Sequence, residues 1–133
     1  MKNLKQIAVV FSLMLATVFF ITGQAAAQGD LMGNVKSAVK AGSSKDLARN
    51  FGSMVEITLE NGDATSYSGT QAEFVMKNFF SKNPPVDFSY SHQGASDKGQ
   101  KYAIGTYTSK NGTYTVLIRL KDSKIQSMNF IKD

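Results

Sequence analysis

Apolar residues in the second half of the chain recur at every other position. Val86, Phe88 and Tyr90 share one parity, and His92 continues it. Tyr102, Ile104 and Thr106 oppose Ala103, Gly105 and Tyr107; Tyr114, Val116, Ile118 and Leu120 oppose Thr113, Thr115, Leu117 and Arg119. Gln126, Met128 and Phe130 oppose Ile125, Ser127, Asn129 and Ile131. A period of two is the signature of a strand. It predicts four strands, Val86–Gln93, Gln100–Ser109, Thr113–Leu120 and Lys124–Ile131, with turn-rich breaks between them. Both faces are partly apolar, so one face calls for helices and the other for a partner.

The first half reads differently. Leu31, Met32, Val35, Ala38 and Val39 fall at helical spacing, with Asp30 as cap and Gly42 as stop. Ser43 or Ser44 then caps a second, short helix carrying Leu47, Ala48 and Phe51, with Gly52 at its end. Val55, Ile57 and Leu59 alternate with Glu56, Thr58 and Glu60 as a half-buried strand. Asn61-Gly62 is a hairpin signal, because both central positions of the favoured turn need positive φ. A short polar return strand, Ala64–Ser68, is predicted as an edge. Thr70 with Glu73 forms a capping box for the most apolar helix of the domain, which carries Ala72, Phe74, Val75, Met76, Phe79 and Phe80. Pro84-Pro85 ends it, since proline lacks an amide donor and disfavours αR in the residue before it.

The predicted order is α-α-β-β-α-β-β-β-β. Helices gathered early and strands late indicate an α+β fold with helices on one face of a curved antiparallel sheet. Gly105, in mid-strand, is a place for the bend.

The N-terminus changes the count of what folds. Lys2 and Lys5 precede an apolar run from Ile7 to Ile21, followed by Thr22-Gly23-Gln24-Ala25-Ala26-Ala27. This is the layout of a signal peptide over residues 1–27, with cleavage after Ala27. The alternative is an uncleaved anchor, but the run falls short of the ~20 residues a spanning helix needs. Residues 28–133 then form a single domain, exported to the periplasm or the extracellular space, with no stable membrane span after cleavage. The chain has no cysteine. Thiol catalysis and cysteine metal sites are thereby excluded, and stability rests on packing. Losing Lys2 and Lys5 lowers the formal charge from +5 to +3. The remaining lysines are scattered, which is no nucleic-acid footprint.

Asn83-Pro84-Pro85, His92-Gln93-Gly94 and Lys101-Tyr102-Ala103-Ile104-Gly105, together with the element order, resemble an uncharacterised family of small exported Bacteroidetes proteins, a domain of unknown function. The wider resemblance is to the nuclear transport factor 2-like (cystatin-like cone) superfamily. It covers about Leu31 to Lys132. The family resemblance implies the cone fold and an envelope location, and it supplies no activity and no cofactor. The superfamily resemblance implies a pocket between sheet and helices, frequent dimerisation through the sheet, and both enzymes and non-enzymes.

Candidate chemistry is sparse. His92 is the one histidine, the residue type whose unperturbed pKa lies closest to physiological pH. As a general base it needs a substrate and an orienting partner; otherwise it is a histidine hydrogen-bonded near a strand end. Strict alternation places it with Phe88 and Tyr90, away from Asp87. Glu56 and Glu60 alternate away from the apolar face, so no acid is placed inside the cone. One histidine without cysteine leaves no metal set. Tyr90, Tyr102, Tyr107 and Tyr114 lie on successive strands, either as a ligand-binding platform or as ordinary cross-strand pairs. Arg119 offers a bidentate contact to an acidic group. These residues, with His92, are the ligand-binding candidates. The expected function is an exported non-enzymatic domain that binds a small ligand or envelope partner in the cone or through the sheet. The alternative is a small isomerase- or hydrolase-like enzyme using His92 with the Tyr90 or Tyr102 hydroxyl.

Overall fold

In a computed structural model of the chain, residues 31–96 and 98–133 are described. The expected signal peptide and the expected Asp30 cap lie outside these residues, as does Asp97. The order is α1 (residues 31–41), α2 (Ser44–Ala48), β1 (Phe51–Leu59), β2 (Thr65–Ser68), α3 (Gly69–Lys82), β3 (Pro85–Ala95), β4 (Lys101–Ser109), β5 (Gly112–Lys121) and β6 (Lys124–Lys132). It is the predicted α+β arrangement. The six strands form one curved, unclosed sheet in the order β2-β1-β6-β5-β4-β3. The sheet is antiparallel except where β1 runs parallel to β6, which joins the early hairpin to the late meander.

α1 ends where the sequence places its stop. Gly42 has φ +67, its amide bonds to the Val39 carbonyl at 3.1 Å, and the Ser43 amide bonds to the Ala38 carbonyl at 2.9 Å. This is a Schellman closure, which needs a residue at ease in the left-handed region. Ser43 then caps α2, its hydroxyl accepting from the Asp46 amide at 3.2 Å. α2 stops at Ala48, and Phe51 and Gly52 belong to β1 instead of the helix. Phe51 pairs with Ile125, and this pairing starts the strand before the alternating stretch begins.

Two local expectations shift. The β1–β2 turn holds Glu60 (φ 53) and Asn61 (φ 63) in its left-handed positions, and the Gly62 amide closes onto the Leu59 carbonyl at 2.9 Å. The turn thus sits one residue earlier than Asn61-Gly62. The cap of α3 is Ser68, not Thr70. Its hydroxyl accepts from the Gln71 amide and the Gln71 side chain accepts from the Ser68 amide, each at 3.3 Å. Glutamine serves as well as glutamate in that reciprocal box.

α3 buries Ala72, Met76, Phe79 and Phe80, while Phe74 faces out. Phe79 packs against Tyr107, Tyr114 and Phe130, with ring centroids 5.6, 5.3 and 4.6 Å away. These rings define the inner face of the sheet, together with Phe88, Ala103, Val116, Ile118 and Met128. Phe88 lies directly on Gly105: a Cβ there would sit 2.8 Å from its ring. Gly105 is therefore needed for ring packing in the bend.

Candidate functional site

The structure divides the candidate residues between two places. Tyr107 and Tyr114 are opposite each other on β4 and β5 and fully buried on the inner face. Tyr90 pairs with Gly105 on that same face, edge-on to Phe88 at 5.3 Å between centroids. Tyr102 lies on the outer face. No ladder of four tyrosines exists.

His92 does not continue the Phe88–Tyr90 face. Tyr90 pairs with Gly105 but His92 pairs with Ile104, so one extra residue, Ser91, is fitted into β3 between them. Such a bulge reverses the side of every later residue. His92 comes to the outer face, exposed, with Nε2 3.3 Å from the Tyr102 hydroxyl. The Tyr102 ring lies across Gly94, where a Cβ would sit 2.4 Å from the hydroxyl oxygen. Alternation alone could not reveal the bulge.

Pairing across the strands orders this outer face into rows. One row runs His92, Ile104, Leu117, Asn129, Thr58. The next runs Gly94, Tyr102, Arg119, Ser127, Glu56. Ile104 and Leu117 are half-buried, and Ile131 and Met54 are exposed on the same side. The ring contacts of α3 all fall on the other face. Arg119 and Glu56 have no ion pair among the described residues, where the ion pairs are Lys40–Asp87 and Asp46–Arg49. Between their strands, the Asn129 Oδ1 is buried without a hydrogen-bond partner. Tyr102, Leu117 and Arg119 also line a shallow cleft of about 200 Å³ with Lys101 at its rim.

The second place is the mouth of the cone, beneath the end of α3. The Tyr107 hydroxyl donates to the Asn83 carbonyl at 2.5 Å, and the Asn83 amide nitrogen donates to the Phe79 carbonyl at 3.3 Å. The Tyr114 hydroxyl lies 3.1 Å from Asn83 Oδ1 and 3.0 Å from Glu60 Oε1. A phenol has one hydrogen, so the two acceptors share it. Burial pushes the Tyr114 phenol up to about 12, and the hydrogen bond to Glu60 and its charge add to the effect. Burial raises Tyr107 above the ordinary phenol range, as does the charge of Tyr114. Burial alone takes Tyr90 up to about 12.

Glu60 corrects a sequence expectation. Alternation sends it away from the cone, but the left-handed turn brings its carboxylate back to a core tyrosine. Nothing in the local sequence marks Tyr114, 54 positions away, as its partner. Among the described residues, no group of histidine, aspartate or glutamate side chains could hold a metal ion.

Comparison with known proteins places this geometry. The family model described as a domain of unknown function (DUF4783) matches residues 32–132. The crystal structure of a DUF4783 family protein from Bacteroides ovatus is similar at TM-score 0.70 and 30% identity, covering 75% of this chain and 93% of that one. A second, from Bacteroides uniformis, gives TM-score 0.71 and 27% identity, covering 76% and 95%. A nuclear transport factor 2-like protein of unknown function from Shewanella baltica, at 13% identity and TM-score 0.59, covers 84% of this chain and 95% of that one, and shares the fold. A comparison with curated proteins finds no match. Both expected resemblances, to a family of unknown function and to the cone superfamily, are met. The chain belongs to the DUF4783 family and has the nuclear transport factor 2-like fold.

Proposed function

We propose that this is an exported, non-enzymatic binding domain that works through the outer face of its sheet, and that the occupant of that face is a second copy of the chain. The observation that carries the reading is the placement of Arg119 and Glu56. They stand on the strands flanking β6 in one row, about 10 Å apart at two strand spacings, and neither has an ion pair among the described residues. A two-fold axis along β6 sets Arg119 of each copy opposite Glu56 of the other. It also sets Asn129 opposite Asn129, on the central strand of the contact. Leu117, Ile104 and Ile131 give this face an apolar interior, as isologous interfaces require.

The hollow supports a small ligand less well in its depth, because Phe79, Tyr107, Tyr114 and Phe130 fill it with ring centroids 4.6–6.5 Å apart. The reading is tested by light scattering of the purified protein at high micromolar concentration. A dimer is expected, and a strict monomer would overturn the self-pairing.

Export rests on the basic start, apolar run and Ala25-Ala26-Ala27 pattern. Mass spectrometry of the exported protein should find Gln28 as the first residue; an intact Met1 contradicts it.

The enzymatic reading keeps one supporting observation, the His92–Tyr102 hydrogen bond. His92 is exposed on an open face, and among the described residues no carboxylate orients its ring. Unchanged turnover in a His92→Ala variant of any activity found would remove it.

A further inference from the structure

The mouth of the cone carries an arrangement that the outer-face reading does not use and that stands without it. Glu60 occupies the left-handed region (φ 53), which is uncommon for a residue with a side chain and costs free energy. Two contacts hold it there: its amide donates to the Phe130 carbonyl at 2.9 Å, and its carboxylate accepts from the buried Tyr114 hydroxyl. The carboxylate is thereby fixed at the wall of a cavity of about 250 Å³, which Lys82 also lines. Neither Glu60 nor Lys82 has an ion pair among the described residues. Between them the wall is apolar, formed by Leu59, Val75 and Phe79, with the Asn78 amide beside it.

We propose that this cavity binds a small zwitterion of the free α-amino acid class. Its ammonium group pairs with Glu60, and its carboxylate pairs with Lys82 and accepts from Asn78. An apolar side chain rests on Leu59, Val75 and Phe79. The charge pattern selects against simpler ligands. A lone anion leaves the Glu60 carboxylate unpaired. A lone cation meets Lys82. At about 250 Å³ the cavity has room for a single amino acid.

The test is calorimetric titration of the purified protein at neutral pH with free leucine, valine and phenylalanine in turn. Isoamylamine and N-acetyl-leucine serve as probes lacking one charge each. Binding of at least one amino acid is expected, about tenfold or more tighter than either single-charge probe, a difference of about 1.4 kcal/mol. Glu60→Gln should weaken it by a similar factor without lowering the melting temperature, because the glutamine oxygen still accepts from Tyr114. Lys82→Gln, at an exposed position, gives a second variant that does not touch the core network and should weaken it likewise. No heat from any of the three amino acids at millimolar concentration would overturn the proposal. So would equal binding of a single-charge probe, or affinity unchanged in both variants.

Discussion

The ring of His92 and the hydroxyl of Tyr102 stand 3.3 Å apart on the outer face of the sheet, because β3 carries an unpaired extra residue between Tyr90 and His92. Ser91 absorbs the excess, and its hydroxyl donates to the Ile104 carbonyl at 3.2 Å, pinning the bulge. The same residue that breaks the alternation therefore sets which face carries the histidine.

The Tyr102 ring needs Gly94 beneath it. A Gly94→Ala variant places a Cβ 2.4 Å from the hydroxyl oxygen and 2.5 Å from the ring carbon bearing it. The ring must swing away, so the His92–Tyr102 contact is expected to be lost while the fold persists. Ring chemical shifts of both residues report the contact, and unchanged shifts would contradict this packing.

Gly105→Ala is expected to be worse for the fold. Its Cβ would meet the Phe88 ring at 2.8 Å and the Ser89 carbonyl at 2.9 Å, and that carbonyl is backbone in the paired strand. Overpacking of this kind costs about 1–3 kcal/mol, read as a lower denaturant midpoint. A wild-type midpoint would mean that the bend has room to spare.

These two glycines show how much was legible. Period-two alternation located β3 to β6 within two residues at each end, because each strand has one face in the core. Within β5 it also separates Tyr114 from Arg119. It failed where one residue changes the count, at Ser91, and where a turn redirects a side chain, at Glu60. The capping box was found in kind but misplaced from Ser68 to Thr70. Both sites offer a hydroxyl followed three residues later by an amide or acid side chain, and local sequence does not rank them. The parallel β1–β6 pairing depends on contacts between distant segments, which no local pattern encodes.

Ser68→Ala removes the hydroxyl that accepts from the Gln71 amide and should destabilise the protein by about 1 kcal/mol. Thr70→Ala should cost far less. Equal losses in chemical denaturation would return the cap to Thr70.

Alkaline stability follows from the buried phenols. Tyr90 and Tyr114 are raised from 10.0 to about 12 in the folded protein. Between those values the unfolded chain loses protons that the folded chain keeps, so stability falls as pH rises through this window. The contribution is fully present below pH 10 and lost progressively towards 12. Tyr114→Phe should flatten the decline of the denaturant midpoint above pH 10. It should also lower stability at neutral pH by about 1–3 kcal/mol, since Asn83 Oδ1 loses its donor. An identical slope in the variant would show that Tyr114 ionises freely in the fold.

The most direct measurement is a charge exchange at the outer face, followed by sedimentation equilibrium. Arg119→Glu alone should place like charges together twice across the two-fold axis and raise the dimer dissociation constant about tenfold or more, about 1.4 kcal/mol or above. Adding Glu56→Arg to the same chain should restore dimerisation, because each new pair is again of opposite sign. A wild-type protein that is monomeric, or a double variant no better than the single one, would contradict the pairing of Arg119 with Glu56 of a second copy.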